Sequence, residues 1–161
     1  MSPTETIATY ADLKLLISGD QVLPRISSNV SVFPREPEAN PMQDWLDSLE
    51  RLQTALPDNV LVLPAHNEPF VGLHSRLRHL RDSQLRAIER LRAALQTQSR
   101  AVDVFGALFA RPVSGDPHLL NMATGESIAH LNYLLARGEA QAETTADGVA
   151  WYRLTPVARP T

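Results

Sequence analysis

The sequence predicts an α/β domain followed by a smaller helix-and-hairpin module, and three observations carry that reading. Two short apolar runs, Leu13-Lys14-Leu15-Leu16-Ile17 and Val60-Leu61-Val62-Leu63, each end in a strand-stopping segment, Ser18-Gly19-Asp20 and Pro64-Ala65-His66-Asn67. A single amphipathic helical stretch lies between them, which gives the order strand, crossing helix, strand of a parallel unit. Beyond residue 99 the pattern changes to short helical segments and then to two strand-like runs around Asp147-Gly148, a hairpin signal. The boundaries that follow are 1–99 for the α/β part and 100–161 for the module.

The first strand is read over 13–17 and is stopped by Gly19. Residues 21–41 hold Pro24, Pro34, Pro37 and Pro41 with little periodicity, and so read as a long irregular crossing. A loop of that length in a compact domain is usually functional, and this one leaves directly from Asp20. Asn40-Pro41 opens a helix: Asn40 suits the cap, Pro41 the first helical position, and Gln43 stands three residues after the cap. Met42, Trp45, Leu46, Leu49 and Leu52 fall on one helical face, and Pro57-Asp58-Asn59 ends it before the strand at 60–63.

The longest helix is predicted from about Gly72 to Gln98, with Leu73, Leu77, Leu80, Ile88, Leu91 and Leu95 as its buried stripe and Gln84 interrupting it. Arg76, Arg78, Arg81, Arg86, Arg90 and Arg92 lie mostly off that stripe. They read either as a solvated face or as a ridge for phosphates. In the module, a helix around Val102–Ala110 precedes a loop with Pro112, Gly115 and Pro117. A short helix then leads to Thr124-Gly125-Glu126, and another, with Ile128, Leu131 and Leu135 inward, ends at Gly138, a C-terminal cap. Runs 139–144 and 149–154 complete the hairpin. Helices followed by a hairpin are the pattern of a winged helix.

Composition narrows the function classes. With 43% hydrophobic and 20% charged residues the chain has too much core for disorder. The absence of cysteine excludes disulfides, thiolate metal sites and a cysteine nucleophile. A net charge of -3 argues against a wholly basic nucleic-acid surface. No apolar stretch approaches the about 20 residues that span a bilayer, and Met1–Thr6 has neither the basic start nor the apolar core of a secretory signal. The expectation is a cytoplasmic protein with no membrane partner.

Chemistry concentrates at the two strand ends. An aspartate and a histidine at the carboxyl ends of buried parallel strands stand where α/β sheets build their sites, and both residue types suit zinc. Each alone is unspecific, since an Asp after Gly is often a turn residue and a lone His often a structural one. His74, at the start of the long helix, is a candidate for substrate binding, because a helix N-terminus favours anions. His79, His118 and His130 add little by spacing. No Gly-x-Ser-x-Gly elbow, phosphate-binding glycine loop or His-Glu-x-x-His helix occurs.

The segment Leu15-Leu16-Ile17-Ser18-Gly19-Asp20-Gln21-Val22-Leu23-Pro24-Arg25-Ile26-Ser27-Ser28-Asn29, and Leu63-Pro64-Ala65-His66-Asn67-Glu68-Pro69-Phe70 with Gly72-Leu73-His74, resemble the metallo-β-lactamase-fold hydrolases. The branch is that of glyoxalase II and lactamase-like endoribonucleases. The resemblance implies the C-terminal half of a four-layer αββα sandwich followed by a winged-helix-like module. It also implies a centre of two zinc ions in the complete enzyme, with Asp20 bridging the metals and His66 binding one of them. The branch carries a His-x-His-x-Asp-His motif earlier in the chain and a further ligand histidine before the Gly-Asp strand. Neither stands in this sequence, where His66 is the first histidine.

Two functions follow. One is a metal-dependent hydrolase of thioesters, esters or RNA phosphodiesters, present here as a truncated or degenerate form that is inactive alone. The other is a non-catalytic winged-helix module for interaction or nucleic-acid binding with a vestigial hydrolase half. In either case a sheet without its partner sheet predicts self-association.

Overall fold

The two apolar runs pair with each other. In a computed structural model of the protein, which describes residues 8–10, 14–113 and 115–156, strands β2 (Leu15–Gly19) and β3 (Leu61–Pro64) lie parallel, with Leu15 beside Leu61 and Ile17 beside Leu63. Leu13 and the segment Met1–Thr6 lie outside the described residues. A strand the sequence did not announce, β1 (Ala8–Tyr10), adds antiparallel to β2, giving the order β1-β2-β3. Burial alternates along β2 and between Leu61 and Val62 of β3. Leu16 and Val62 are fully buried on one face, while Ile17 and Leu61 on the other remain 41% and 39% exposed.

Helix α1 (Pro41–Ala55) connects these strands and forms as the cap signal implies, the Gln43 N–H donating to Asn40 Oδ1 at 3.3 Å. All five residues of its predicted stripe are buried. Helix α2 (Leu73–Ala94) buries its own predicted stripe, with Gln84 buried inside it. It stops short of the expected Gln98. Ser99 instead exchanges backbone hydrogen bonds with Tyr152 at 2.9 and 2.8 Å, so the chain after Leu95 serves a strand rather than a helix.

The chain divides into two units, Met1–Asn29 with Asp44–Gln84, and Val30–Gln43 with Leu85–Thr161. In the second, the helix expected over 102–110 contracts to α3 (Phe105–Leu108). The Asp103 carboxylate takes the backbone N–H and the guanidinium of Arg100, closing residues 100–103 into a turn before the helix begins. The two helices expected around Thr124-Gly125-Glu126 are one, α4 (Pro117–Ala136). Gly125 does not break it. A Cβ there would meet the Ser31 side chain and the Val32 carbonyl at 3.0 Å, so glycine is required by a close approach of segment 30–39, not by a turn.

That segment is tied to α4 along its length. The Val32 N–H donates to the Gly125 carbonyl at 3.0 Å, and Asn132 Nδ2 donates to the Pro37 and Ala39 carbonyls at 2.8 Å each. The inner side of α4 is Ala123, Ser127, His130, Leu131 and Leu134; the expected Ile128 and Leu135 are only half-buried. Covering by segment 30–39 widens the buried surface beyond a single stripe. At the other end Gly138 takes φ +68°, with Gly138 N–H to Leu135 O and Glu139 N–H to Leu134 O, the paired bonds of a Schellman cap. Strands β4 (Ala140–Thr144) and β5 (Ala150–Leu154) form the expected antiparallel hairpin around Asp147-Gly148. No helix of the described residues is long and apolar enough to cross a membrane.

Candidate metal centre

Parallel pairing of β2 and β3 puts both carboxyl ends at one edge of the sheet. The register shifts between Ile17 and Gly19, and Gly19 leaves the strand at φ +52°. The Ala65 N–H donates to the Gly19 carbonyl at 2.9 Å, so one backbone bond joins the two strand ends just before their polar residues. Ser28 Oγ donates to the Asp20 carbonyl and Ser18 Oγ to the Val22 carbonyl, which anchor the loop as it leaves. Asn67, at φ +68°, turns the chain directly after His66; asparagine tolerates that left-handed conformation better than most residues.

The result is a close pair. Asp20 Oδ1 lies 3.2 Å from His66 Nε2, and both side chains are about half exposed. Two donors on a tetrahedral zinc, each 2.0–2.2 Å from the metal, stand about 3.3 Å apart, so carboxylate and imidazole fit two corners of such a centre. A catalytic zinc takes three protein ligands and a water. Among the described residues no group of three or more His, Asp or Glu side chains gathers around a common point. The described residues thus bring together two candidate donors, Asp20 and His66.

The loops bearing these donors are braced by residues the sequence reading passed over. Arg25 Nε and Nη2 donate to Glu68 Oε1 at 2.8 and 2.5 Å, joining the loop after Asp20 to the loop after His66. The hydrogen bond from Arg25 holds the Glu68 carboxyl below its usual range. Arg76 reaches from α2 to the Leu23 and Ile26 carbonyls at 2.5 and 2.7 Å. The available signal was the opposite charge placed shortly after each donor, Arg25 and Glu68.

His74 is placed at the first turn of α2, but its polar atoms point to the α1–β3 turn. Its N–H donates to Asp58 Oδ1 and its ring Nε2 bonds the Leu56 carbonyl, both at 2.7 Å. The carbonyl can only accept, so Nε2 carries the proton and Nδ1 is left for other contacts. Asp58 O also accepts from Leu73 N–H at 3.3 Å, so two amides that would receive an anion at this helix start are already used.

The arginine ridge is partly dismantled in the same way. Arg90 donates to the Ala107 carbonyl, Arg92 pairs with Glu89 and Glu139, and Arg81 with Asp82, while Arg78 and Arg86 are exposed. His130 is a core residue, 1% exposed, with Nδ1 against the Glu126 carbonyl; burial pushes its pKa down and favours the neutral ring.

Helices around a mixed sheet, with aspartate and histidine at adjoining parallel strand ends, define an α/β protein whose polar residues meet at one sheet edge. Comparison with known proteins specifies the class. The family Metallo-beta-lactamase-like, C-terminal domain, matches residues 88–155. A beta-lactamase domain protein from Burkholderia ambifaria is 43% identical with a TM-score of 0.83, over 88% of this chain and 41% of its own. A metallo-beta-lactamase family protein from Thermus thermophilus is 26% identical with a TM-score of 0.72, over 88% of this chain and 42% of its own. No curated protein matches the sequence. These matches show that the chain carries the C-terminal half of a metallo-β-lactamase-type fold. It spans about two-fifths of the length of these two structural relatives.

Proposed function

We propose that this chain is the C-terminal share of a cytoplasmic, zinc-dependent hydrolase, and that Asp20 and His66 are its contribution to the metal centre. The observation that carries the reading is the 3.2 Å approach of Asp20 Oδ1 to His66 Nε2 at the ends of β2 and β3. Asp20 and His66 would share in holding zinc, which when bound would supply Lewis acidity for activating a water and polarising a scissile carbonyl or phosphoryl group. The part played by this chain's residues is to hold and orient: Asp20 supplies a carboxylate, His66 an imidazole nitrogen, and the Ala65–Gly19 bond keeps the strand ends together. His74, with Nδ1 remaining, is the substrate-side candidate. The substrate class is a thioester, an ester or an RNA phosphodiester. Residues 100–161, whose described part is helices followed by the β4–β5 hairpin, are read as the winged-helix-like module.

Two donors are too few for an open catalytic zinc site, so the 161-residue chain alone is expected to be inactive. Robust zinc-dependent turnover of a thioester or phosphodiester by the pure chain would refute that limit. The donor assignment is tested by titrating cobalt(II) into the wild type, Asp20→Ala and His66→Ala. Weak binding by the wild type that each substitution abolishes supports it; equal behaviour of all three removes it.

A further inference from the structure

We infer that Arg76 is a positioning residue for the Asp20–His66 pair, acting through the loop that leaves β2. The inference rests on reading Asp20 and His66 as metal donors, and it concerns what fixes the distance between them. Residues 20–26 have no ladder partner; besides the turn bond from Gln21 N–H to Ser18 O and the burial of Val22 and Leu23, side-chain bonds to the loop's carbonyls fix its course. Ser18 and Ser28 hold the loop's near end, at Val22 and at Asp20 itself. Arg76 holds its far end.

Three features single this arginine out. Its Nε and Nη2 meet two carbonyls, Leu23 O and Ile26 O, on either side of Arg25, a match to the fixed fork of a guanidinium that a lysine ammonium cannot reproduce. Arg25 is the residue whose side chain crosses to Glu68, two positions after His66. Arg76 therefore sets the stretch of backbone from which the second brace starts, and the connection runs from α2 through the loop to both donors. Third, the guanidinium is partly withdrawn from water, and burial draws its pKa down. A cation partly removed from water and facing carbonyl oxygens loses more when those bonds break than a fully solvated one, so it resists rearrangement. The Arg25–Glu68 pair, with side chains 70% and 53% exposed, is screened by solvent and is the weaker brace.

The test compares wild type, Arg76→Ala, Arg76→Lys and Arg25→Ala in the full chain by amide hydrogen exchange and by the His66 ring resonances. In Arg76→Ala, exchange at the Ala65 amide, which bonds Gly19 O, should rise at least tenfold and the His66 ring signal should move. Leu61 and Val62 amides, bonded to Lys14 O and Phe70 O, should keep their rates. Arg76→Lys should fall between, and Arg25→Ala should show a smaller change of the same kind. Unchanged Ala65 exchange and an unmoved His66 ring overturn the inference. So does a uniform rise that includes Leu61 and Val62, which marks loss of stability instead of loss of position. If Arg76→Ala does not fold, Arg76→Lys decides by the same criteria. Cobalt(II) binding that is equal in wild type and His66→Ala removes the metal reading and leaves the exchange result to stand separately.

Discussion

The two units solve the burial of apolar surface differently. In the second, α4 is covered within the unit: segment 30–39 lies along it, bonded at Gly125 and Asn132, and Ala129, Leu131 and Leu134 have no exposure. In the first, the parallel pair buries Leu16 and Val62 on one face and leaves Ile17 and Leu61 on the other substantially in contact with solvent. Local completeness is thus independent of how well an element's own sequence pattern reads. The strands are clear in sequence yet half covered, whereas the helix with the weaker stripe is covered along its middle, around Ala129, Leu131 and Leu134, though its first turn leaves Leu119 and Leu120 in solvent.

The contrast can be broken by substitution. Leu131→Ala, within the enclosed helix, should have the largest effect, a loss of about 2–5 kcal/mol in urea or thermal unfolding. A loss below about 1 kcal/mol would mean that α4 is not a packed core. Gly125→Ala sharpens the same point. Alanine gains about 1 kcal/mol of helix propensity over glycine, but its Cβ would press on Ser31 and the backbone of Val32. Overpacking of this kind typically costs about 1–3 kcal/mol, so net destabilisation is expected; a higher melting temperature would show that segment 30–39 moves away freely.

On the open face, Ile17→Lys with Leu61→Lys should change stability by no more than about 0.5 kcal/mol each, while shifting a light-scattering concentration series toward monomer. A cost equal to that of Leu131→Ala would erase the distinction between the units. The smallest effect belongs to the Arg100–Asp103 turn. The hydrogen bond from Arg100 lowers the Asp103 carboxyl from 3.8 to about 2. A depressed carboxyl contributes stability that is present above its unfolded value and lost as pH falls through its folded value. The contribution should therefore fade between about pH 4 and pH 2, and Asp103→Asn should flatten that part of the acid-unfolding curve. Because the pair is exposed, salt should diminish the difference.

Much of the fold was legible because it rests on periodicity and caps. Met42, Trp45, Leu46, Leu49 and Leu52 with Asn40 specify α1 almost completely, and the two apolar runs specify the parallel pair. The failures have separate causes. Gly125 resembles a helix break, and only the approach of a segment some ninety positions earlier, about Ser31, explains its presence within a continuous helix. Three residues, Ala8–Tyr10, are too few for β1 to show a period. At the site, Asp20 and His66 were visible as strand-end residues of types that suit metal, and parallel register accounts for their meeting. Arg76 was not visible, since its helical position reads as one more solvated arginine until the Leu23 and Ile26 carbonyls are in place.

The two sheets also differ in how far apart along the chain their partners stand. Thr144 finds Ala150 across a tight turn, while Leu15 must wait for Leu61, with the whole irregular crossing and α1 between them. Closing a short loop is fast and loses little chain entropy, whereas distant pairings repay their closure only after the intervening chain is ordered. During refolding the β4–β5 hairpin should therefore gain protection before the parallel pair does, and the Asp20–His66 approach should be among the last events. Pulse-labelled exchange would show this as protection at Glu143 and Trp151, which face each other across the hairpin, ahead of Leu61. On the ribosome the order of emergence runs the other way: β2 and β3 are made first, and an exposed strand edge waits longest where its partner is most remote.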